Sequence, residues 1–148
     1  MQKGFTLVEL LIVVVIVGVM VAIALPQYKR ATERGRMMEG IANLRAVTDY
    51  MNAQYVLNDF SYPSTVNTGN MDLVQSRYFL APAVSVSNSN NTVEVTITRN
   101  TSSGWNYRFS SRSDNGELTS SACTNLGTSD DCKAIGFPTV DGTATPLL

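Results

Sequence analysis

Hydrophobic positions fall into three patterns along this 148-residue chain. From Phe5 to Leu25 apolar residues run almost without interruption, Val and Ile dominating, and Glu9 is the only charge among them. As a helix that run would reach about 31 Å, enough to cross the hydrocarbon core of a bilayer. Past Pro26 the pattern becomes a stripe: Met37, Ile41, Leu44, Val47, Met51 and Tyr55 recur at spacings of three and four, one face of a helix. Lys29, Arg30, Glu33, Arg36, Glu39, Arg45 and Asp49 mostly fall elsewhere around it. One helix from about Phe5 to Leu57 is expected, apolar all round in its first half and amphipathic in its second. Pro26 cannot bond the Ala22 carbonyl, so a kink is expected there. Gly35 and Gly40 should weaken the helix locally, by about 1 kcal/mol each relative to alanine.

The third pattern is alternation. Asn58 to Ser64 collects turn formers and Pro63 and ends the helix. A polar loop continues to about Asn70, with a short helical turn expected within Met71 to Leu80. The aromatics Phe60, Tyr62, Tyr78 and Phe79 are expected to plug a domain core, a carbohydrate or ligand platform being the alternative. Val84 to Val86 and Val93 to Thr98 alternate apolar and polar around a hairpin loop, Ser87 to Asn91. Trp105 to Ser110 supplies a third strand, joined through the Asn100 to Gly104 turn. Asp114-Asn115-Gly116 makes another tight turn, and Glu117 to Ser121 a short edge strand. Cys123 to Leu148 is turn-rich and without clear period; it should wrap the sheet edge, anchored by Ile135 and Phe137. The expected fold class is α+β, a long N-terminal helix packed on a small antiparallel sheet.

Charge and composition narrow the chemistry. The chain carries 11 basic and 12 acidic residues and no histidine, which excludes His-dependent triads and His-rich metal sites. Arg77, Arg99, Arg108 and Arg112 are scattered rather than clustered, so no nucleic-acid partner is expected. With no nucleotide-binding glycine loop and no nucleophile beside a base, there are no catalytic residues to nominate, no cofactor, and no enzyme is expected. Asp130, Asp131 and Asp141 could lend oxygens to calcium but lack a spacing signature; solvated loop acids are the plainer reading. Asn90-Asn91-Thr92 and Asn100-Thr101-Ser102 fit the N-glycosylation pattern. Cys123 and Cys132 are the only cysteines, too far apart for C-x-x-C chemistry. A disulfide closing a short loop would stabilise by roughly 2–3 kcal/mol and imply an oxidising compartment. Two buried free thiols are the alternative.

Glu9 is the residue to explain, because an ionisable group inside an apolar span is expensive. A secretory signal, with Ala22-Ile23-Ala24 before a cut at Leu25, has too long an apolar run and an acid near its start. A permanent single-span anchor fits the length but gives no reason for Glu9 or for Gly4. A charge count is no help: Lys29, Arg30, Arg34 and Arg36 after the span outnumber Lys3 before it, which would put the C-terminal side in the cytoplasm.

Gly4-Phe5-Thr6-Leu7-Val8-Glu9 ahead of an apolar run resembles the cleavage and methylation motif of type IV pilins and type II secretion pseudopilins, and Pro26 matches a proline common in that family. The resemblance implies a leader at 1–4, a transmembrane and filament-core helix at 5–25, its amphipathic continuation at 26–57, and a pilin head at 58–148. It implies that a prepilin peptidase cuts between Gly4 and Phe5 and methylates the Phe5 amine. Glu9 would then pair with the amine of a neighbouring subunit. The implied partners are other copies of the chain in a helical filament, the peptidase, an inner-membrane assembly platform and membrane lipid. The implied location is the inner membrane with the head outside the cytoplasm, then the cell surface. A Cys123–Cys132 disulfide suits type IV pilins, in which one near the C-terminus is common, whereas many major pseudopilins bind calcium in a C-terminal loop. A structural pilus subunit is the expected function; a secretion pseudopilin, or a minor tip pilin acting as a binding module, is the alternative.

Overall fold

The computed structural model describes residues 4–64, 66, 71, 73, 76–101 and 104–137. Helix α1 runs from Leu7 to Leu57 and continues through Pro26. It begins later than Phe5 because Thr6 is extended (φ −82°, ψ 150°) and its hydroxyl accepts from the Glu9 amide, an N-cap. It ends where the Asn58 amide and side-chain nitrogen both donate to the Gln54 carbonyl, at 3.0 and 2.9 Å. Asp59 and Phe60 then turn left-handed, with φ of 50° and 59°.

Four antiparallel strands follow as a meander: β1 (Ala83–Ser87), β2 (Thr92–Thr98), β3 (Tyr107–Asp114) and β4 (Glu117–Asn125), side by side in that order. In register, Val95 lies between Val84 on β1 and Ser111 on β3. The alternation expected for β2 is realised, with Val93, Val95 and Ile97 turned inward. Tyr107 and Phe109 line the same layer from β3. Against them lie Leu44, Val47, Met51 and Tyr55 of α1, with Met37 and Ile41 partly buried at its lower margin. The stripe read from the sequence is thus the face that closes the core, and the two-layer α+β arrangement holds. Short helix α2 (Asp131–Ala134) packs against β4, and the Cys123–Cys132 disulfide ties the two together. Ile135 is buried and Phe137 stacks edge-on against Phe109, so both serve as anchors.

Several expectations are corrected. The third strand starts at Tyr107 rather than Trp105 and runs on to Asp114, because its inward positions continue as small serines, Ser111 and Ser113. The edge strand reaches Asn125, so Cys123 belongs to the sheet and not to the turn-rich tail. From 76 to 80 the backbone is not helical, and Phe79 bridges to Arg99; residues 72, 74 and 75, where the rest of the expected turn would fall, lie outside the described residues. Tyr62 and Phe79 enter the core and Tyr78 packs against it, but Phe60 is exposed, touching only the edge of the Tyr55 ring. Gly40 is more than a tolerated weak spot: a Cβ there would sit 2.8–3.0 Å from the Phe79 ring, so glycine lets that ring lie on the helix. Gly35 has open space around it. Residues 138–148, and Asp141 with them, lie outside the described residues.

Candidate functional site

Two carboxylates on α1 mark the parts of the molecule that carry chemistry. Glu9 stands in the first turn, where an acid suits the positive end of the helix dipole. Its Oε2 accepts from the Thr6 amide at 2.9 Å and the Thr6 hydroxyl at 2.8 Å, while the Glu9 amide donates back to that hydroxyl at 3.2 Å. This reciprocal capping box turns the carboxylate toward the N-terminal end of the helix, the side on which Gly4 and Phe5 lie. The Thr-x-x-Glu spacing ahead of an apolar run is its sequence signature.

Gly4 and Phe5 precede the helix, exposed and irregular. Among the described residues nothing lies within 4 Å of a Cβ placed on Gly4, so their packing does not require glycine there. From Leu7 to Leu25 every large apolar side chain is about half exposed or more, an apolar surface that soluble monomers rarely show. This part of α1, with a mean hydropathy of 3.1 over 18 residues, is long and apolar enough to cross a membrane.

Glu33, at the foot of the head, has the opposite environment. It is fully buried, and its two oxygens take four contacts from three residues. Arg99 holds it in a two-pronged contact, Nε to Oε1 and Nη2 to Oε2 (3.0 Å), and the Tyr107 hydroxyl donates to Oε1 at 2.9 Å. Arg36 approaches Oε2 at 3.6 Å. The Arg99 guanidinium also donates to the Tyr78 carbonyl and lies against the Tyr78 and Phe79 rings. Burial, and then the negative charge of Glu33, push the Tyr107 hydroxyl well above the ordinary tyrosine range. The network joins α1, the end of β2 and the start of β3.

Sequence reasoning had put Glu33 on the polar face and Arg99 among scattered surface arginines; both are core residues. The signal was present. Glu33 lies four residues before Met37, in line with the apolar stripe, and Arg99 continues the inward phase of Val93, Val95 and Ile97.

At the other candidate residues the roles are structural. Asp131 is buried and accepts from the Asn106 amide at 2.7 Å, while Asp130 is exposed and reaches the Asn125 side chain at 3.4 Å. No grouping of acids suited to a metal ion occurs among the described residues.

The family model for the prokaryotic N-terminal methylation motif matches residues 1–25. A fimbrial protein of Neisseria meningitidis serogroup A is 44% identical over 68 residues, covering 43% of this chain and 37% of that protein. The type IV major pilin PilE1 of Neisseria gonorrhoeae is 48% identical over 54 residues, 34% of this chain and 33% of its own. The type II secretion system core protein G of Pseudomonas aeruginosa is 34% identical over 64 residues, 43% of this chain and 44% of that one. The chain thus spans a third to somewhat under half of the length of these curated relatives. No solved structure matches it.

Proposed function

We propose that this chain, whose N-terminal segment is that of the type IV pilin and type II secretion pseudopilin superfamily, is a structural subunit of a type IV pilus-like filament. The observation that carries the reading is the conjunction at the N-terminus. The first half of α1, Leu7 to Leu25, is apolar, is unpartnered among the described residues and carries one acid, which is turned toward the residue whose amine cleavage after Gly4 would release.

Each part of the segment then has a task. Gly4 leaves the backbone open to a prepilin peptidase, which is why glycine stands where the chain's own packing does not ask for it. Cleavage gives Phe5 a free, then methylated, amine. Leu7 to Leu25 keep the subunit in the inner membrane, the head outside the cytoplasm, until they exchange lipid for neighbouring helices. Hydrocarbon is no less apolar than those helices, so burial alone does not favour the exchange. A charge pair between Glu9 and a neighbour's Phe5 amine supplies the difference and fixes the stagger, since a slipped subunit leaves both charges unpaired. The capping box holds the carboxylate in place until then.

Glu9→Leu should insert into the membrane as the unaltered chain does and yield little filament; normal filaments with unchanged stagger would refute the role of Glu9. Gly4→Leu should retain its leader, and leader release as in the unaltered chain would refute the cleavage site. The pseudopilin reading is kept alive by the similarity to core protein G.

A further inference from the structure

The head is electrically lopsided along the axis of α1. Its membrane-proximal end is where Glu33 meets Arg99 and where Arg34 Nε donates to the Ile135 carbonyl at 3.1 Å. Around that end stand Lys29, Arg30, Arg34, Arg77 and Lys133, all exposed, with Arg36 half-buried on the Tyr78 ring. The acids that could offset them are withdrawn. Glu33 is buried and neutralised by Arg99, and Asp131 is buried on a backbone amide. Asp130 is the exposed carboxylate left at that rim among the described residues.

The far end lies about 36 Å up the helix. The turn between β3 and β4 meets the end of α1 there: the Tyr55 hydroxyl reaches Asn115 at 3.5 Å, and the Gly116 amide donates to the Tyr62 hydroxyl at 3.0 Å. Asp59 and Glu117 are exposed at this rim and form no ion pair among the described residues; Asp114 is paired with Arg112 at 3.0 Å. One end of the head is basic and the other acidic.

We infer that the basic lower rim of one copy docks on the acidic upper rim of the next along the filament axis. This rests on the filament reading and names a contact that the N-terminal helices do not supply. The two surfaces differ, so the contact is heterologous, and a heterologous contact that does not close propagates into an open fibre. Opposite charges at the two rims select the head-to-tail order, since head-to-head and tail-to-tail approaches set like charges together. The buried Glu33–Arg99 pair serves the contact by removing an acid from the basic rim while clamping that rim to the sheet.

The test is a charge swap in the full chain, expressed with a prepilin peptidase and an assembly platform, with sheared filament as the readout. Lys29→Glu, Arg30→Glu and Arg77→Glu together reverse the lower rim without touching the Arg34 contact. Glu117→Lys with Asp59→Asn reverses the upper rim and keeps a residue that accepts the left-handed turn. Each of the two variants alone should give about tenfold less filament, and co-expression of the two should restore it by pairing reversed rims. Filaments from each variant at the level of the unaltered chain would overturn the inference alone. No filament from the unaltered chain would overturn the filament reading with it. A lower-rim variant that is not rescued, and that loses its preference for phosphatidylglycerol over phosphatidylcholine vesicles, would assign the basic rim to lipid instead.

Discussion

The two halves of α1 are one continuous helix with opposite needs. From Leu7 to Leu25 the side chains find no partner among the described residues; from Glu33 to Tyr55 they close a core. The carboxylates follow the same division. Among the described residues Glu9 is held by Thr6 alone, at its own helix end, whereas Glu33 is consumed internally by Arg99, Tyr107 and Arg36. Two acids of one type in one helix therefore do different work: the first caps its own helix end and, on the proposed reading, is kept for assembly, while the second fastens helix to sheet. What separates them is the partner that the rest of the chain provides.

Breaking the internal fastening should have the largest effect. Arg99→Leu leaves a buried carboxylate without its main partner and should cost about 3–5 kcal/mol in chemical unfolding of the full chain in detergent. Glu33→Leu should cost a similar amount, and the double variant should recover much of the loss. A double variant no better than either single would mean that the pair acts through packing alone. Glu9→Leu, by contrast, should leave unfolding of the head unchanged within about 0.5 kcal/mol.

A smaller effect separates the two helix glycines. Gly40→Ala should destabilise by about 1–3 kcal/mol, since Phe79 must move to admit the methyl group, outweighing alanine's better helix propensity. Gly35→Ala meets open space and should stabilise by up to about 1 kcal/mol. Equal responses at the two positions would contradict the close approach of Phe79.

The smallest effect is in alkali. Burial and Glu33 raise the Tyr107 hydroxyl above its ordinary value, so folding favours its neutral form. The stability this contributes is complete below the unfolded tyrosine pKa of about 10 and is lost progressively as pH climbs beyond it. Tyr107→Phe should flatten the fall in stability above about pH 10 while costing about 1 kcal/mol at neutral pH. Burial raises Tyr62 in the same direction, so part of the alkaline slope should survive in that variant.

Most of the scaffold was legible because periodicity reports it directly. The stripe from Met37 to Tyr55 and the alternation from Val93 to Ile97 are the two faces that meet. The disulfide was legible as the preferred pairing of two cysteines, and the N-terminal motif from its own residues. Glu33 and Arg99 were missed because charge was taken as a sign of exposure. Their positions were in phase with the core, and each was uninformative without the other, 66 residues away. Phe60 erred the other way, since its left-handed backbone points it out of the layer that Tyr62 enters. Strand ends were lost where small serines replaced apolar residues on the inner face, leaving alternation with no hydrophobic mark.

The central claim is that the first half of α1 is kept for other subunits, and it depends on where the mature chain begins. Intact mass and N-terminal peptide mapping of protein extracted from native membranes test this most directly. The account predicts a chain that starts at Phe5 with a methylated amine. A chain starting at Leu25, or one retaining Met1, would contradict it and leave Glu9 with no amine to meet.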